Sequence, residues 1–179
     1  MLNIKLSFKI IIFGFIFTFF SSFGQSFFIG LFNSNIRLDL NISHGQFGTI
    51  YALATLVSSF TLIWVGKKID NLRLISFSLF VILLLFFSSI FFSFVSSIYL
   101  LFIGIFLLRL SGQGLMSHTA TTSISRYFNL NRGKALSITW LGLSAAEFIM
   151  DFTRLLPGMP KAKVRSRIIM TPSHLKSFY

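Results

Sequence analysis

Residues 74–108 contain no charged side chain. Written as one helix they would reach about 52 Å at 1.5 Å per residue, against roughly 30 Å of bilayer hydrocarbon. The run is too long for one span, so it has to turn back on itself. The serine-containing stretch 93–97 is the natural turn, dividing the run into helices near 74–94 and 98–124. The remainder of the chain agrees with such a solvent: 54% of it is hydrophobic, 25 residues are phenylalanine and 11% are charged. That balance excludes a soluble domain of this size and places the chain among integral membrane proteins.

Further apolar segments lie near 10–32, 47–66 and 135–150. Lys5 and Lys9 before the first would also suit a secretory signal, but the run outlasts a signal core and no Ala-x-Ala pattern closes it. It reads as a retained first span. Residues 33–45 form a polar connector with Arg37, Asp39 and His44. The segment 135–150 is short for a span and needs Lys134 to snorkel, or Phe152, Leu155 and Leu156 to extend it. The fold expected is therefore all-α, an integral membrane domain over 1–150 with about five transmembrane helices. With the amino terminus in the cytoplasm, Lys5, Lys9, Lys67, Lys68, Arg73, Arg126, Arg132 and Lys134 share that side and Arg37 stands alone outside. This asymmetry points to a multi-pass protein of the plasma (inner) membrane with its amino terminus inside. Residues 151–179 hold all three prolines and a basic cluster, and read as a disordered tail, or as a shifted reading frame or truncation rather than a tail that touches anionic lipid.

The net charge of +12 does not point to nucleic acid, because the basic residues sit at span ends and in the tail rather than on a face interleaved with aromatics. The chain has no cysteine. His44, His118 and His174 are scattered without metal-ligand spacing, so neither a metal nor another cofactor is expected. Gly142-Leu143-Ser144-Ala145-Ala146 lacks the last glycine of a nucleophile elbow and no strand precedes it, and no glycine-rich phosphate loop opens a helix. No enzyme is expected.

Two ionisable residues fall inside apolar segments: Arg109 about eleven residues below the outer end of the fourth helix and Glu147 about thirteen residues above the start of the fifth, depths that both approximate the membrane centre. A charge at mid-bilayer costs roughly 2.5–3.5 kcal/mol on insertion scales, so a sequence that keeps two of opposite sign at matched depth is using them. Arg109 is the candidate binder of a substrate anion, through its planar fork of donors. Glu147 is expected to pair with it in the empty state or to carry a coupling proton. The competing reading is a structural ion pair between the fourth and fifth helices. Gln25 serves either an interhelical hydrogen bond or a substrate contact, and Gly24-Gln25 is echoed by Gly112-Gln113, which makes Gln113 a candidate as well. His118 either relays protons or is hydrogen-bonded structure.

The two loops on the cytoplasmic side carry a resemblance. Gly66-Lys67-Lys68-Ile69-Asp70 resembles the loop joining helices two and three of the major facilitator superfamily of secondary transporters. Asn71 and Arg73 stand where that family usually has a basic residue and a glycine. Arg126-Tyr127-Phe128, followed by Arg132-Gly133-Lys134-Ala135, is similar to its loop between helices four and five, including members that resemble monocarboxylate and organic-anion carriers. The resemblance implies an N-terminal six-helix bundle of a twelve-helix fold, with alternating access between two halves, each built from inverted three-helix repeats. It makes Gly66, Asp70 and Arg73 a loop motif with Asp70 in a gating contact, and leaves Arg132 and Gly133 to set a turn. The implied partners are the lipid bilayer, a small anionic solute, a coupling H+ and the C-terminal half that these five helices do not supply. A fragment of this kind is not expected to transport by itself. The alternative is a small membrane interaction protein or accessory subunit.

Overall fold

The computed structural model describes residues 4–153, which form helices and no strand. Four stretches are long and apolar enough to cross a membrane: Ser7–Asp39, His44–Asn71, Leu74–Ser93 and Ile98–Tyr127. Two of the four are interrupted. Span one consists of α1 (Ile4–Phe20), a 3₁₀ turn (Ser21–Gly24) and α2 (Ser26–Asp39). Spans two and three are the continuous helices α3 (His44–Asn71) and α4 (Leu74–Ser93). Span four consists of α5 (Ile98–Leu108), a π segment (Arg109–Met116) and α6 (Ser117–Tyr127). A fifth helix, α7 (Arg132–Thr153), lies against α1 and is not among those four. The proline-containing tail falls outside the described residues beyond Thr153.

Several boundaries differ from those the apolar runs suggest, each for a local reason. The first span continues to Asp39 because Arg37 Nε donates to Asn33 Oδ1 at 2.8 Å, one turn back on the same helix. Asn41, at φ 51°, then turns the chain in the left-handed region that asparagine tolerates. The next helix starts at His44 because Ser43 and Gln46 form a capping box: Gln46 N donates to Ser43 Oγ at 3.2 Å and Ser43 N to Gln46 Oε1 at 2.8 Å. Span four starts where Ser97 accepts from Leu100 N, just after the turn at the serine-containing stretch.

Ala54, Val81, Leu101, Ile105, Leu108 and Leu115 are buried where spans two, three and four meet. The opposite faces stay apolar and open: Leu53, Leu56, Phe60 and Trp64 line one side of α3, and Leu83, Phe86, Phe87 and Ile90 one side of α4. A stripe of this kind in water would drive association; in hydrocarbon it is the solvated face.

The α1–α7 contact is built from small residues. Ala135, Thr139, Gly142 and Ala146 recur at helical spacing on the buried face of α7. Thr18 Oγ1 donates to the Thr139 carbonyl at 2.5 Å and to the Phe15 carbonyl at 3.0 Å. A Cβ on Gly142 would run into the Phe15 carbonyl and Thr18 Oγ1, and one on Gly14 would come within 2.8 Å of Thr139 Cγ2. Lipid supplies no hydrophobic force between helices, so close backbone packing and hydrogen bonds have to hold them. Gly142→Val should lower the stability of the chain in nanodiscs by about 1–3 kcal/mol, the cost of overpacking a tight interface. Gly133→Val, where a Cβ meets nothing within 4 Å, should change the melting temperature little, and equal melting of the two variants would refute this packing.

Candidate functional site

The two interrupted spans are interrupted at the same place. Both breaks lie about halfway along their spans, and they cross at glycines: a Cβ on Gly112 would come within 2.6 Å of Gly24 N and 2.8 Å of Gly24 Cα, and one on Gly24 would collide with Gln113 N and the Leu108 carbonyl. Only residues without a side chain allow backbones this close. On span one, Gln25 adopts φ −80° and ψ 155°, so the helical ladder stops and restarts. Ser21 and Ser22 are buried within the 3₁₀ turn, and Ser21 Oγ bonds back to the Thr18 carbonyl at 2.7 Å.

Arg109 opens the π segment and is 9% exposed. Its Nη1 donates to the Gly24 carbonyl at 3.2 Å, a carbonyl that the break at Gln25 removes from its own helix. Its guanidinium carbon lies 5.2 Å from the centroid of the Tyr51 ring, on α3. A hydrogen bond from a charged donor contributes about 1.5–3 kcal/mol and a desolvated cation–π contact about 2 kcal/mol, together of the same order as the insertion cost of an arginine. Arginine is therefore tolerated here without a carboxylate. It is not saturated: Nε is buried with no partner.

Other buried polar atoms on spans two and four are equally idle. Tyr51 Oη, Thr55 Oγ1, Gln113 Oε1 and Ser117 Oγ are buried without a hydrogen-bond partner. Tyr51 and Thr55 are one turn apart on α3, while Arg109, Gln113 and Ser117 follow at fourth-residue spacing on span four. Tyr51 also borders two cavities. One, of about 290 Å³, reaches Ser26, Asn33, His44 and Phe47; the other, of about 590 Å³, runs along Thr55, Ser59 and Ile63.

The expected Arg109–Glu147 pair is not formed. Glu147 is exposed on α7, one residue past the buried Ala146 and so about 100° round the helix from the face that meets α1. Gln25 is half-buried and caps α2 without a side-chain bond. His118 and Gly66 come together: Gly66 lies inside α3, buried, where a Cβ would stand 3.3 Å from His118 Nε2, and that nitrogen has no partner. Arg73 is the exposed residue preceding α4, and Arg132 and Gly133 are exposed at the start of α7.

Asp70 has a partner that its motif does not announce. Arg126 Nη2 reaches Asp70 Oδ1 at 2.7 Å and the Ile69 carbonyl at 2.9 Å, tying the end of span two to the end of span four. Tyr51 was equally unmarked, one aromatic among many. Asp70 is 69% exposed, so its ion pair is screened. Asp70→Asn should cost less than about 1 kcal/mol of stability, and a large drop in melting temperature would show the pair to be structural at this end.

A multi-pass α-helical membrane protein with a buried, partly unsatisfied cation where two broken spans cross is the class that fold and site define. The family model described as Major Facilitator Superfamily matches residues 14–150, and the chain belongs to that superfamily of transporters. A second model, a protein of unknown function (DUF3467), matches residues 138–179. Comparison with curated proteins and with solved structures gave no match.

Proposed function

We propose that this chain forms one side of the pathway of a secondary transporter for a small organic anion, working by alternating access with Arg109 as the anion-binding group. The observation that carries the reading is a buried guanidinium with an idle Nε and, among the described residues, no carboxylate paired with it. A structural arginine would have its donors filled; one waiting for a solute keeps some free. Tyr51 covers the guanidinium, and Gln113 adds a polar group on the same span. His118 and the exposed Glu147 are the groups proposed for a coupling proton, separate from the anion site. The lysine and arginine asymmetry supports an amino terminus on the cytoplasmic side.

The test is binding of radiolabelled acetate, by equilibrium dialysis, to the purified chain in nanodiscs. The wild-type chain should bind saturably, Arg109→Lys roughly tenfold more weakly because the planar fork is lost, and Arg109→Gln not measurably. Wild-type affinity in Arg109→Gln would end the anion role of this residue.

A further inference from the structure

Spans one and three end at the same membrane boundary, but α4 packs against α3 and span four rather than against span one. A slot is left between them. Near the boundary it is a cavity of about 330 Å³. Phe28, Phe32, Asn35, Ile36 and Asp39 border it from one face of α2, at third- and fourth-residue spacing, and Ser89, Phe92 and Ser93 border it from α4. From Phe28 to Asp39 is about 16 Å along the helix, close to half of the roughly 30 Å of hydrocarbon, so this cavity is one leaflet deep. A second cavity, of about 380 Å³, shares Phe23 and Ser89 with the first and continues between α1 and α4. Its lining residues Ile16, Phe20, Ile82 and Phe86 are exposed, so the slot is open from the side. Such a slot does not stay empty in a bilayer: lipid chains are as apolar as its walls, and a void forfeits the dispersion contacts of the atoms that line it.

The mouth is different. Among the described residues, Asp39 is the one charged side chain bordering either cavity, and it forms no ion pair. Arg37, two residues away, is engaged elsewhere: its Nε donates to Asn33, which borders the separate cavity on another face of α2. The serine hydroxyls have spent their protons, Ser89 Oγ on the Leu85 carbonyl at 2.9 Å and Ser93 Oγ on the Ser89 carbonyl at 3.2 Å. Their oxygens have only lone pairs left to offer. A carboxylate and two acceptor oxygens at the head of a phenylalanine-walled slot complement a positive group rich in donors, with a hydrocarbon body behind it.

We infer that the slot between spans one and three is a site for a phosphatidylethanolamine-type lipid, with its primary ammonium on Asp39 and the serine oxygens and one acyl chain along the phenyl rings of α2. A choline head group has the charge but no N–H to donate. A glycerol head group brings a phosphate up to the Asp39 carboxylate with no cation to offset it. The site is independent of the anion role of Arg109.

The test uses lipids that carry a diazirine in the acyl chain and differ only in head group, each at the same low fraction in nanodiscs holding the chain. After irradiation the ethanolamine lipid should label segments 23–39 and 82–95 about three- to fivefold more than the choline or glycerol lipid, the size of preference that an exposed carboxylate supports. Asp39→Asn should bring the three to parity, while Asp70→Asn, at the other boundary, should keep the preference. The comparison within the wild-type chain does not depend on how any variant folds. No excess of the ethanolamine lipid in the wild type, or an excess that survives Asp39→Asn, would overturn the site. So would an absence of labelling by any of the three, the result expected if protein rather than lipid fills the slot.

Discussion

Backbone that departs from the helix inside a bilayer survives only where protein rather than lipid surrounds it. Spans one and four each depart from it, and each shields the other. The 3₁₀ turn at Ser21–Gly24 and the π segment at Arg109–Met116 meet through Gly24 and Gly112 with no side chain between them. Neither irregularity would be stable alone. Crossed, they bring Arg109 onto a carbonyl left over by the partner break.

Seen this way, the buried arginine and the broken helix answer each other. A guanidinium in hydrocarbon needs acceptors and a helix that stops in hydrocarbon has one to give. The match is incomplete: Arg109 Nε and Gln113 Oε1 both stay without a partner. Tyr51 supplies a ring face in place of a counter-charge. A full ion pair with Glu147 would have filled donors that the ring face leaves free.

The spans were legible because bilayer thickness is a ruler that uncharged runs have to meet. Their ends were less so. Ser43-x-x-Gln46 is a capping signature visible in the residues and sets the start of α3, but the extension of span one to Asp39 depends on a side-chain contact within a polar stretch. The repeat of Gly24-Gln25 in Gly112-Gln113 was readable as an echo; that the two glycines touch was not, since glycine serves packing, hinges and turns alike. Depth along a helix can be counted, which placed Arg109 and Glu147 at similar levels. Direction around it cannot be fixed until packing is known, and Ala146 rather than Glu147 took the buried face. Tyr51 carried no mark because a chain with 25 phenylalanines hides one more aromatic.

The second half of span one, α2, is thinly attached. Ile29 is its one fully buried residue, and beyond Gln25 nothing like the Gly142 crossing holds it to a neighbour. At 1.5 Å per residue α2 is roughly 21 Å long, so a ten-degree tilt about Gln25 would carry its far end by about 4 Å. Any such tilt would pivot beside Arg109, at the break where its Nη1 meets the Gly24 carbonyl.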